Sequence, residues 1–190
     1  MRVGLISGHN GYGTGASGII DEGVETIKLR NLIGTILRGH TPNISLAMDN
    51  ESSDLKNVLK WLKTLDSFDV LLDIHFNAFN KKAQGTEVIV ADDATDEARV
   101  FAEGLLEVVC KALGTKSRGV KNESQSQHNR LGILHTGNAK ISLLLEVCFC
   151  DNADDVEKYL MHRDLLALKV AEYLGAEKNL LPLKESCNLK

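Results

Sequence analysis

Two histidines and two or three glutamates stand where a fold could gather them for hydrolysis. His9 follows the apolar run from Arg2 to Ser7, in Ser7-Gly8-His9-Asn10-Gly11, and His75 closes a second apolar run, in Asp73-Ile74-His75-Phe76-Asn77-Ala78. The carboxyl ends of strands border the ligand crevice in open α/β sheets, so two imidazoles distant in sequence can converge there. Glu22, or failing that Glu25, lies at the entry of the first predicted helix and can add a carboxylate. Two histidines and one carboxylate leave a fourth position open, a donor set suited to catalytic zinc. Glu146 alone interrupts the apolar stretch Leu143-Leu144-Leu145-Glu146-Val147-Cys148-Phe149-Cys150. A lone buried charge is costly unless paired or set near a metal, so Glu146 needs a reason to be there. Beside water activated by such a metal, it could take a proton and pass it to a leaving amine.

Strands and helices alternate around these residues. Arg2 to Ser7 reads as a buried strand, and the glycine-rich stretch from Gly8 to Gly18 cannot continue it. Ile27, Leu29, Leu32, Ile33, Ile36 and Leu37 recur at mostly helical spacing up to Gly39. Ile44 to Met48 is a further strand, and Ser52, Ser53 and Asp54 offer caps to a helix carrying Leu55, Val58, Leu59, Leu62 and Leu65. Phe68 to Phe76 reads as a strand buried on both faces, as parallel sheets require. Thr86 to Val90 is the next strand, before a helix over 96–113. The segment from Ser117 to Gly137 is polar and expected to be mostly irregular, a suitable wall for a cleft. Ile141 to Phe149 gives one more strand, and Asp154 to Leu174 a last helix. This order predicts a single three-layer α/β domain over 1–176, its mostly parallel, twisted central sheet flanked by helices on both faces, with a polar tail over 177–190.

Composition narrows the function further. The chain has 190 residues, 43% hydrophobic and 25% charged, which suits one globular domain rather than a disordered or coiled-coil chain. A net charge of −4 gives no general electrostatic reason to bind nucleic acid or an anionic membrane surface, and neither is expected as a partner. The N-terminal apolar run is too short for a signal-peptide core or a spanning helix, so synthesis in the cytoplasm without a signal peptide is expected. Cys110, Cys148, Cys150 and Cys187 are expected as free thiols, Cys148 and Cys150 as small buried hydrophobes.

The main rival reading is a nucleotide site. Gly13, Gly15 and Gly18 satisfy G-x-G-x-x-G between a strand and a helix, with Asp49 as a nominal ribose partner. Gly13 comes six residues after Ser7, too late for a fingerprint that should begin where the strand ends, and the reading leaves Glu146 unexplained. The glycines are read instead as letting the loop wrap a metal site. His40 and His162 read as surface residues, whereas His128 and His135 lie in or near the polar cleft segment.

Taken in order, these pieces resemble the zinc-dependent N-acetylmuramoyl-L-alanine amidases that cut bacterial peptidoglycan. The matching strings are Ser7-Gly8-His9, Gly15-Ala16-Ser17-Gly18, Glu22, Ile74-His75-Phe76-Asn77-Ala78, Gly85-Thr86-Glu87-Val88, Arg118-Gly119-Val120-Lys121 and Leu145-Glu146-Val147-Cys148-Phe149-Cys150-Asp151-Asn152, spanning roughly Arg2 to Leu174. The resemblance implies that His9, Glu22 and His75 bind zinc, with Glu22 preferred over Glu25, and that Glu146 is the catalytic carboxylate. It implies cleavage of the amide joining the lactyl group of N-acetylmuramic acid to L-alanine, with peptidoglycan as partner and a monomer favoured. Asp73 departs from the serine of many members and Cys148 from their glycine. The interval from His75 to Glu146 is too well filled by ordinary elements to hold the inhibitory helix of some periplasmic relatives. A phage endolysin that reaches the wall after release is the expected setting, and Arg118 could meet a stem-peptide carboxylate. A wall-binding domain without activity is the remaining alternative.

Overall fold

A computed structural model describes residues 1–176 except 12, 42, 127 and 128. The chain runs β1 (Arg2–Ser7), α1 (Glu22–His40), β2 (Ser45–Met48), α2 (Leu55–Leu62), β3 (Val70–Asn77), β4 (Thr86–Val90), α3 (Asp96–Leu113), β5 (Ser117–Asn122), β6 (Ile141–Phe149) and α4 (Ala153–Tyr173). All six strands join one sheet in the order β2-β1-β3-β6-β4-β5. The first four in that order are mutually parallel, while β4 runs antiparallel to β6 and carries β5 parallel to itself. The expected α/β class and mostly parallel sheet are what the chain adopts; the expected tail over 177–190 lies outside the described residues.

Successive strand residues point to opposite faces, and here the two faces are clothed unequally. Leu72 and Ile74 of β3 and Leu143 and Leu145 of β6 enter the larger core with Leu29 and Ile33 of α1, Leu105 and Val109 of α3, and Leu166 and Val170 of α4. Each such side chain, fully buried, contributes roughly 1.5–3 kcal/mol, so this side holds most of the stabilising burial. On the other face Ile6, Leu71, Ile89 and Leu144 meet Val58 and Leu62 of α2, Phe68, and Ile133 and Leu134 of the 3-10 turn Gly132–His135, with partly buried neighbours such as Trp61 and Leu59 around them. Asp73 and His75 continue the alternation of Leu71, and Glu146 that of Leu144, so all three project toward this thinner side.

The bounds of β1, β4, α3 and β6 coincide with those expected. Capping sets the helices: the side chains of Asp21, Asp54, Thr95 and Asn152 each accept a backbone N–H of the first turn, and Gly114 ends α3 in the left-handed conformation. One expectation is corrected in part. Residues 117–122, within the segment expected to be mostly irregular, form the edge strand β5. Ser-Arg-Gly-Val-Lys-Asn carries a single large apolar side chain, so no period of two marks it; pairing with β4 and ion pairs to Glu87 hold it in place. The helix α2 stops at Leu62, short of Leu65, and β3 starts at Val70 rather than Phe68.

Candidate active site

Glu22 is the first residue of α1, immediately after the capping Asp21, and a helix N-terminus favours a carboxylate. It is only 3% exposed. Its Oε2 accepts the Ala16 N–H at 2.5 Å and its Oε1 the Phe76 N–H at 2.9 Å, so the glycine-rich loop and β3 both hold it. His9 and His75 flank this carboxylate: His9 Nε2 lies 3.4 Å from Oε2, and His75 Nδ1 lies 3.0 Å from Oε1. The two rings meet edge to face, their centroids 5.1 Å apart. One ligand atom from each of the three residues falls within 4.8 Å of the others.

Two glycines make this convergence possible. A Cβ on Gly8 would stand 2.2 Å from His75 Nε2, so only a glycine lets β1 pass beside the imidazole. Gly15, at φ +77°, would place a Cβ 2.5 Å from both Glu22 Oε2 and the His9 ring. The loop therefore wraps the three side chains and leaves no cradle at Gly15 for a pyrophosphate.

The charges are strongly coupled. Burial pushes the Glu22 carboxyl up, but hydrogen bonding and attraction from His75, then His9, bring it below its ordinary range. Burial likewise disfavours a charged His75, yet the Asp73 carboxylate and the bonds to Asp73 and Glu22 raise it well above its usual value. His9 moves the other way, lowered by burial that Glu22 only partly offsets. A buried carboxylate between two imidazoles, in a site turned toward the thin side of the sheet, fits a divalent ion of borderline softness such as zinc.

Register brings a fourth group alongside. Parallel pairing sets Glu146 of β6 directly beside His75 of β3, and antiparallel pairing sets Glu87 of β4 on its other flank. The Oε2 of Glu146 is buried and, among the described residues, has no hydrogen-bond partner, an arrangement that a purely structural carboxylate avoids. Burial, first of all, raises this carboxyl to about 7; His75 opposes the rise, and Glu22, Glu87 and Asp73 add to it. Glu87, itself buried, is held at Oε2 by Arg118 Nε and Lys121 Nζ, each at 2.6 Å, and at Oε1 by Asn77 at 3.2 Å. Arg118 also lies over the Phe149 ring at 4.9 Å.

The sequence profile of the N-acetylmuramoyl-L-alanine amidases matches residues 3–175. The chain belongs to that family. Solved amidases share its fold. The N-acetylmuramoyl-L-alanine amidase from Clostridium difficile 630 superposes with a TM-score of 0.77 at 19% identity, over 91% of this chain and 94% of that one. The catalytic domain of the CD27L endolysin, which targets Clostridium difficile, gives 0.72 at 23% identity, over 94% and 99%. An uncharacterized protein of Clostridium perfringens strain 13 is 28% identical over the whole chain, which covers 57% of that relative. A second protein of the same species is covered to 46%, so this chain spans about half the length of the curated relatives it matches.

The amidase fold gives the other candidate residues different work. Glu25 faces α4, where Tyr159 donates to it at 3.1 Å and Arg163 lies 3.6 Å away, and Lys28 pairs with it at 2.7 Å. It stands outside the cluster of His9, Glu22 and His75. Asp49 is occupied by the Ser7 N–H and hydroxyl and by Arg30, so the nominal ribose partner of the nucleotide reading is engaged in the fold. Gly18 packs on the backbone of Cys150 and Asp151. His135 meets Glu123 at 2.6 Å and serves the loop; His40 is exposed, His162 is half-buried, and His128 lies outside the described residues. Cys148 and Cys150 are buried free thiols in the larger core. Arg118 and Lys121 pair with Glu87, a residue given no role from sequence. The signal that singled out Glu146, one acid in an apolar strand, was equally present at Glu87 in Thr86-Glu87-Val88-Ile89-Val90.

Proposed function

We propose that this chain hydrolyses the amide between the lactyl group of N-acetylmuramic acid and L-alanine in peptidoglycan, with His9, Glu22 and His75 holding zinc and Glu146 moving the proton. Family membership supports the substrate class. The observation that carries the mechanism is the unpartnered Glu146 oxygen, set by strand register next to three convergent donor groups.

Zinc bound by the two imidazoles and the carboxylate would supply Lewis acidity toward the scissile carbonyl and toward water. Glu146 accepts the proton of the attacking water as oxygen adds to the carbonyl carbon. It then returns that proton to the alanine nitrogen as the C–N bond breaks, leaving a free amine and a lactyl carboxylic acid, which loses its own proton to solvent. A group that must take and give the same proton works best with a pKa near the working pH, and Glu146 is raised to about 7. Glu87 helps to keep it there, and Arg118 and Lys121 hold the Glu87 side chain in place beside it. Glu22, held by two backbone amides, stays ionised as a fixed anion between the imidazoles.

For the setting we put a phage lysin made in the host cytoplasm and acting on the wall after release, in keeping with the fold shared with the CD27L catalytic domain. Among the described residues no helix is long and apolar enough to cross a membrane. The test is mass spectrometry of digested sacculi. Intact stem peptides bearing a free L-alanine amine are expected, their release stopped by a chelator and restored by zinc. Reducing-sugar ends, cleavage inside the stem peptide, or binding without release would overturn the assignment.

A further inference from the structure

We infer that Asp73 is a positioning residue that selects which ring nitrogen of His75 is presented to the metal. The inference rests on the reading of His75 as a ligand. Asp73 sits in Val70-Leu71-Leu72-Asp73-Ile74, the apolar middle of β3, and is only 3% exposed. A carboxylate in such a place is costly unless something compensates it, and among the described residues its hydrogen-bond partner is His75. Its Oδ2 lies 3.1 Å from His75 Nε2, while its Oδ1 is buried without a partner.

Two residues apart on one strand, Asp73 and His75 share a face, so the contact follows from the backbone alone. An ionised carboxylate only accepts hydrogen bonds, and a neutral imidazole has one donor and one acceptor nitrogen. Each ring nitrogen faces a carboxylate, but Glu22, 3.0 Å from Nδ1, belongs to the metal cluster and Asp73 does not, so in a ligating, neutral His75 the Nδ1 lone pair serves the metal beside Glu22 and the proton stays on Nε2 toward Asp73. The ring has little freedom to choose otherwise, since the α-carbon of Gly8 closes on the same Nε2 edge from β1. A carboxylate behind a ligating imidazole fixes its tautomer and makes it a stronger electron donor, and removing such partners typically weakens metal binding about 10–100-fold.

The experiment compares the unaltered protein with Asp73→Asn and Asp73→Ser. Zinc affinity is read by competition with a chromophoric chelator, and the His75 tautomer by long-range proton–nitrogen spectra of nitrogen-15 histidine in the zinc-loaded protein. In the unaltered protein the proton is expected on Nε2. Asp73→Ser should bind zinc about 10–100-fold more weakly and lose the single tautomer. Asp73→Asn, isosteric and able to accept through its amide oxygen, should keep the tautomer and lose less affinity than serine. Equal affinity in all three proteins, or a proton on Nδ1 of zinc-loaded unaltered protein, would overturn the inference while leaving the metal site intact. Failure of the unaltered protein to take up zinc would instead remove the metal reading and this inference with it.

Discussion

Replacing Glu146 by glutamine separates what the carboxylate does for turnover from what it costs the fold. The native carboxyl keeps its proton up to about pH 7, whereas in the unfolded chain it is lost near 4.5. Between those values the native state binds more protons than the unfolded state, so stability falls as pH rises through the window. At 1.36 kcal/mol for each pH unit, moving the carboxyl from 4.5 to about 7 corresponds to about 3 kcal/mol of stability lost by pH 8. Glutamine keeps the size and cannot ionise. Urea unfolding of metal-free protein should therefore show Glu146→Gln gaining about 3 kcal/mol on the unaltered protein between pH 4.5 and pH 8, about 6–12 °C in melting temperature. The same variant should keep zinc and lose about 10²–10⁴ in kcat, the usual contribution of a positioned acid–base group. A stability difference independent of pH would refute the buried, raised carboxyl, and undiminished kcat would refute its proton-transfer role.

Three further outcomes follow from the packing. Gly8→Ala, whose new methyl would overlap the His75 ring at 2.2 Å, should weaken zinc uptake about tenfold or more, measured by chelator competition, while far-UV circular dichroism stays unchanged. Glu22→Gln should lose most of its zinc by elemental analysis, whereas Glu25→Gln should retain it and lose about 1–3 kcal/mol of stability as the Tyr159 and Arg163 contacts weaken. The double variant Arg118→Ala with Lys121→Ala leaves Glu87 without its two partly exposed cations and should cost about 1–3 kcal/mol by urea unfolding, and it should also depress kcat at neutral pH.

Much of this arrangement could be read before any coordinates. β1, β4 and β6 are short apolar runs closed by glycine or polar residues, and His9, His75 and Glu146 stood out because each follows or interrupts such a run. What could not be read depends on partners far along the chain. Glu22 and Glu25 are equivalent as acids of a first helical turn, and only partners far along the chain, Tyr159 and Arg163, draw Glu25 toward α4. The strand β5 carries almost no apolar signal because its place is set by pairing and by the charge on Glu87, so the cations of Glu87 were hidden with it. Asp73 was visible as an acid in an apolar strand, but its aim at His75 depends on ring orientation, which spacing does not specify.

The unequal dressing of the sheet divides labour between its two faces. Three helices anchor one side, and the reacting groups occupy the other, where α2 and a single 3-10 turn give sparse cover. The loop after β5 covers that sparse side through Ile133 and Leu134 and adds none of its described residues to the larger core. The groups proposed for chemistry and the mass that supplies most of the stability therefore meet at Glu22, where α1 begins.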